Sequence, residues 1–177
     1  FYQFPLGSSL TATVGGRVRQ DDMLGIAPSL YPAETILDVL TYAGAPGTYN
    51  SNQGPGGGLT FKSGNVSLSA QYISANADSG TTLLVPGCRL DTDVSPECGG
   101  GIGNPTSAQT ATVQLGYAED QFGLALAYTY TSRFFGDLYG GDATALAALL
   151  ALLGNTNSFA LSGYWQPASS GWIPSIS

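Results

Sequence analysis

Phe122-Gly123-Leu124-Ala125-Leu126-Ala127-Tyr128-Thr129-Tyr130-Thr131-Ser132 alternates large with small side chains from Phe122 through Thr131. Successive side chains of a strand point to opposite faces. Phe122, Leu124, Leu126, Tyr128 and Tyr130 therefore share one face, and Gly123, Ala125, Ala127, Thr129 and Thr131 share the other. The large face begins and ends in aromatics, and the small face carries no Lys, Glu or Arg. A soluble sheet keeps charge on the side turned to water, and here neither side has any. This is the layout of a strand with aromatic girdles at two lipid interfaces on one face and a wet interior on the other.

The same alternation recurs along the chain. Leu10, Ala12, Val14 and Val18 alternate with Ser9, Thr11, Thr13, Arg17 and Arg19. Val66, Leu68, Ala70 and Tyr72 alternate with Ser67, Ser69 and Gln71, and Ala111, Val113, Leu115 and Tyr117 with Thr110, Thr112 and Gln114. Shorter strands are expected at Phe1 to Phe4, at Leu59 to Lys62 and at Ser158 to Gln166. A last one starts near Pro174, because proline cannot donate to a ladder.

The joins between these segments are of two kinds. Pro5-Leu6-Gly7, Ser63-Gly64-Asn65, Glu119-Asp120-Gln121 and the stretch 167–171 are tight, whereas 20–56, 74–107 and 133–156 are long. Outer-membrane barrels put short turns on the periplasmic rim and long loops on the outer rim. The expectation is therefore an all-β, antiparallel up-and-down transmembrane β-barrel. The chain supplies about seven or eight strands of a larger barrel of this type. It reads as one domain, 1–177, cut at both ends. One or two short loop helices are expected: Ala143 to Leu153, with Asp142 as N-cap and Gly154 as stop, and as a second candidate Ala33 to Tyr42 after Pro32.

Composition agrees with a barrel and excludes several functions. Charged residues are 10% of the chain, against about 25% in an ordinary soluble domain. No apolar run approaches the ~20 residues of a spanning helix. The net charge is −7, with the five basic residues scattered singly, which leaves no electrostatic footprint for nucleic acid. Histidine is absent, so Ser-His hydrolysis, His-ligated metal and imidazole proton transfer are excluded. No catalytic arrangement is visible, and neither a cofactor nor a resident metal is expected.

Cys88 and Cys98 bracket a polar loop. In an extracellular loop the expected reading is a disulfide, worth roughly 3 kcal/mol by loop closure, with a reactive thiol pair as the alternative. Asp91, Asp93 and Glu97 lie inside it but lack the ligand number and central glycine of a Ca²⁺ loop, so they read as a solvated acidic loop. Arg17 and Arg19 share the Thr11 and Thr13 side of their strand and so face the lumen, with Leu10, Val14 and Val18 toward lipid. Asp21, Asp22, Glu34 and Asp38 follow in the long loop. These six residues are the candidate pore-lining and constriction set. They either anchor an inward-folded loop to the wall or set up a transverse field that sorts solutes by charge. Tyr72, Tyr117, Tyr128, Tyr130, Trp165 and Trp172 fit interface girdles better than a sugar-stacking track.

Three stretches, Gly16 to Leu24, Tyr31 to Gly47 and Tyr164 to Ser177, together resemble the cyanobacterial outer-membrane porins labelled iron-uptake porins, which are related to carbohydrate-selective porins of the OprB type. The resemblance implies an internal part of a porin barrel, without the N-terminal surface-layer-homology domain or the closing strands. It also implies a location in the bacterial outer membrane and a homotrimer in outer-membrane lipid. Inorganic iron or sugars as cargo come from the resemblance alone.

The expected function is passive diffusion of small hydrophilic solutes and inorganic ions through a water-filled lumen narrowed by an inward loop. The alternative is a secreted soluble β-sandwich, an adhesin or carbohydrate-binding module, in which the large faces would form a shared core. An outer-membrane enzyme is a third and weaker reading.

Overall fold

The alternating segments form eight strands: β1 (Tyr2–Pro5), β2 (Leu10–Arg19), β3 (Gln53–Ser63), β4 (Val66–Ser74), β5 (Gln109–Ala118), β6 (Phe122–Ser132), β7 (Thr156–Trp165) and β8 (Ser175–Ile176). The computed structural model describes residues 1–27, 45, 47–50, 52–74, 77, 102, 109–132, 155–167 and 175–176. Each strand pairs antiparallel with the next, giving one up-and-down sheet in the order β1 to β8. The sheet is open, with β1 and β8 as its edges. The tight joins after β1, between β3 and β4 and between β5 and β6 are where the sequence puts them, while the fourth, 167–171, lies almost wholly outside the described residues. Gly64, between β3 and β4, has φ 56°, a left-handed conformation that glycine adopts without steric cost.

The register aligns like with like across the sheet. Phe61, Leu68, Leu115, Leu126 and Leu161 are successive partners on β3 to β7 and form one apolar row. On the opposite face Gln71, Thr112, Thr129 and Ser158 form a polar row. Burial is the reverse of a soluble sheet. Leu126 is 53% exposed and Leu115 52%, whereas Thr129 and Gln114 are 0% exposed. The polar face is the one under cover.

Aromatic residues bound the apolar face at both ends of β6. Near the tight turns, Phe122 pairs in register with Trp165 and stacks on Tyr117 at 5.7 Å. Near the long connections, Tyr128 packs on Phe159 at 4.9 Å and donates to Asn157 Oδ1. Tyr72 donates to Gln109 Oε1 at 2.7 Å. Each hydroxyl so placed is satisfied at the edge of an apolar band. From Phe122 to Tyr130 the band runs roughly 27 Å along the strand at ~3.4 Å per residue. At a tilt of about 40° that is ~21 Å along the normal, close to the ~25 Å band of an outer-membrane barrel.

Two sequence expectations need correction. β3 begins at Gln53 rather than Leu59. Its first half, Gly54-Pro55-Gly56-Gly57-Gly58, has almost no side chains to alternate, so no period of two marks it as strand. In addition, β2 carries a bulge. Gly15 pairs with Gly56 and Val18 with Gly54, so β2 spends one extra residue there. A one-residue slip exchanges the two faces of a strand. Val18, expected toward lipid, is instead 0% exposed and packs with Met23 and Ile73. Arg17 and Arg19, expected on the lumen face, lie on the other side of the strand.

No α-helix occurs among the described residues, and the chain leaves β2 through a 3-10 turn at Asp21–Met23. The expected helices at Ala33 to Tyr42 and Ala143 to Leu153 lie outside the described residues. So do Glu34, Asp38, Cys88, Cys98, Asp91, Asp93, Glu97 and Trp172.

Candidate functional site

The polar face is built by strand parity. It presents Ser67, Ser69 and Gln71 from β4, Thr110, Thr112 and Gln114 from β5, Thr129 and Thr131 from β6, and Ser162 from β7, all buried. Across β4, β5 and β6 lie the described residues at the two ends of the β2–β3 connection, 20–27 at its start and 45, 47–50 and 52 at its end.

Contact is made through neutral hydrogen bonds. Gln20 Nε2 donates to the Thr48 carbonyl and to Thr112 Oγ1, both at 2.8 Å. The Thr112 and Thr129 hydroxyls are 2.9 Å apart across β5 and β6, and Thr129 Oγ1 donates to the same Thr48 carbonyl at 2.8 Å. Asn50 Nδ2 reaches Thr131 Oγ1 at 3.3 Å, and Asn52 Nδ2 reaches Thr110 Oγ1. Further along, Gly25 N–H donates to Ser69 Oγ at 3.2 Å, and Thr60 Oγ1 donates to the Met23 carbonyl at 2.9 Å. Gln114 joins Ile26 from both sides, accepting from its N–H and donating to its carbonyl, each at 3.1 Å. A neutral bond of this kind is worth about 0.5–1.5 kcal/mol net, so the set holds the connection down collectively.

Two small apolar contacts fill the gaps between these bonds. Met23 sits with Val18 and Ile73, and Tyr49 sits with Ala127 and Ala160. The wall is cut to receive them. A Cβ on Gly58 would come within 3.0 Å of Met23 Sδ, and one on Gly116 would strike Ile26 Cγ2 and lie 2.6 Å from Ser67 Oγ. Gln71 and Ser162 are also buried here, their side-chain polar atoms without a protein partner among the described residues. Burying such groups in an apolar core costs about 1–3 kcal/mol each, which suits a wet wall better than a dry core.

Of the sequence-predicted set, the structure brings Arg19, Asp21 and Asp22 together where the connection leaves β2. Arg19 Nη2 and Asp21 Oδ2 form an exposed ion pair at 2.9 Å. Asp22 Oδ2 accepts from the Arg19 N–H at 3.3 Å, and the Asp22 carbonyl accepts from Gln3 Nε2 at 3.1 Å. Arg17 instead reaches Gln53 Oε1 through Nε and Nη2, at 3.2 and 3.0 Å. These contacts link the start of the connection to β1 and β2, and Arg17 to the first residue of β3. Sequence reasoning did not pick out the residues that hold the connection, namely Gln20, Thr48, Asn50, Asn52 and Gln114. The available signal was Gln114 itself, a long amide on a strand face otherwise made of Thr and Gly. Among the described residues no group of His, Cys, Asp and Glu is placed to hold a metal ion.

Comparison with family models, with curated proteins and with solved structures finds no match to this chain.

Proposed function

We propose that this chain is a stretch of wall of an outer-membrane β-barrel channel. Small hydrophilic solutes and inorganic ions diffuse passively through its water-filled lumen, which is narrowed by the β2–β3 connection. The carrying observation is the inverted sheet. A continuous apolar face on β3 to β7 is exposed, while the hydroxyl and amide face is covered by the chain's own loop. Contiguous exposed apolar surface of this extent marks a lipid or protein partner. The aromatic edges of the band and its height favour lipid. Further strands would close the sheet, since an open edge is not tolerated within a bilayer.

In this reading the mechanism needs no cofactor and no energy input. Water fills the space on the polar face, and the loop set by Gln20, Thr48 and Gln114 fixes its narrowest part. The wall offers neutral donors and acceptors that exchange with a solute's hydration shell. Iron and sugars stay within the proposed range of cargo, and a homotrimer remains the proposed assembly. In a β-sandwich the large side chains would be the buried ones, so the soluble alternative is disfavoured. Two measurements test the proposal: heat-modifiable migration of the detergent-extracted protein on a denaturing gel, and stepwise conductance after reconstitution into planar bilayers. A protein that stays soluble without detergent and forms no channels contradicts it.

A further inference from the structure

Among the described residues charge on the polar face is scarce, which makes the one cation there informative. On β3 the exposed Leu59 and Phe61 belong to the apolar side, so Lys62, one step on, belongs to the other. Its register partner is Ser67, which is buried on the polar face. Its backbone N–H is held by the Ser9 carbonyl at 2.7 Å. The side chain is exposed, just before the tight turn that ends β3.

The other charged side chains among the described residues lie elsewhere. Arg17 and Arg19 are turned to the opposite side by the bulge, and Asp21 and Asp22 belong to the turn at the far end of the wall. Glu119 accepts from the Tyr117 hydroxyl, a residue of the apolar face, and from Asn65 Nδ2. Asp120 follows in the same turn. The ion pair among the described residues is Arg19–Asp21, and Lys62 takes no part in it.

We infer that Lys62 is a specificity-determining residue at the tight-turn mouth of the channel, where its ammonium group favours the passage of small anions, inorganic or organic. The inference rests on the channel reading above. A fixed positive charge on the wall of a water-filled conduit raises the local concentration of anions and lowers that of cations. Its sign opposes the chain's net charge of −7. Selectivity set by overall charge would fall alike in Lys62→Gln and Arg17→Gln, whereas selectivity set by Lys62 falls only in the first.

The test is the reversal potential of the full-length protein in planar bilayers under a KCl gradient. Salt is kept near 0.01 M, where the screening length is about 30 Å. Wild type, Lys62→Arg, Lys62→Gln, Lys62→Glu and Arg17→Gln are compared. The anion-to-cation permeability ratio should fall about two-fold in Lys62→Gln and further in Lys62→Glu. It should hold in Lys62→Arg, and in Arg17→Gln because that residue lies on the other face. Channels of wild-type conductance whose ratio is the same in wild type, Lys62→Gln and Lys62→Glu overturn the inference and leave the channel reading standing. Absence of channels from the wild type defeats the channel reading first, and this inference with it.

Discussion

Gln114 and Ile26 are joined by two reciprocal hydrogen bonds, side-chain amide to backbone, each 3.1 Å long. The pair copies a rung of antiparallel sheet, with an amide side chain on the wall standing in for a neighbouring strand. Gln114 Nε2 also reaches the Tyr49 hydroxyl at 3.3 Å. One residue of β5 thus clamps both ends of the β2–β3 connection onto the polar face.

Gln114→Leu keeps the bulk and removes all of these bonds. The Ile26 N–H and carbonyl are then left without their partner, a loss of about 1–3 kcal/mol. The connection should lift, giving larger and noisier single-channel conductance with an unchanged β-sheet signal in circular dichroism. A conductance equal to wild type would show that the clamp does not set the constriction.

Gly116→Val tests the same contact sterically. Its first side-chain carbon would overlap Ile26 Cγ2 and crowd Ser67 Oγ, and overpacking of this kind costs about 1–3 kcal/mol. Conductance should rise as in Gln114→Leu. The double variant should add little, because both changes release one contact. Full additivity in the double variant would mean that the two act on different parts of the loop.

The strands with strong alternation were legible from sequence, and β6 was bounded correctly from the large-small pattern of Phe122 to Ser132. Two local features were not. Gly54 to Gly58 cannot show a period without side chains, and the bulge after Gly15 shifts parity without leaving a hydrophobic gap to count. The bulge puts Arg17 and Arg19 on the face opposite to the one their parity predicts. The loop contacts were out of reach for another reason. Gln20 meets Thr112, and Ile26 meets Gln114, across separations of 92 and 88 residues, and no spacing rule connects such pairs. What could be read was that a wall of Thr, Ser and Gln under a long connection invites one.

Leu126 lies on the apolar face midway along the band, between Phe122 and Tyr130 of β6. Leu126→Arg would place a charge near the bilayer midplane, at about 2–4 kcal/mol. It should lower the temperature at which the folded band is lost on a heat-modifiability gel, and lower assembled yield. If the face were instead packed against soluble protein or water, Leu126→Arg would leave detergent dependence weaker or unchanged.

The latch is made of Gln, Asn, Ser and Thr, none of which titrates near neutrality, and the chain has no histidine. Open-channel conductance should therefore be flat from about pH 5.5 to 8, between the ordinary carboxylate and amine ranges. A step in conductance within that window would point to a gate outside the contacts described.

The most direct test is of which face meets lipid. In a background with Cys88 and Cys98 replaced by Ser, spin labels are placed singly at Leu124, Ala125, Leu126, Ala127, Tyr128 and Thr129 of the reconstituted full-length protein. Their collision rates with oxygen and with a water-soluble nickel complex are then compared. A period of two is expected, with oxygen favoured at Leu124, Leu126 and Tyr128 and not at Ala125, Ala127 and Thr129. Labels at Leu124 and Leu126 shielded from both reagents, as in the core of a sandwich, would contradict the account.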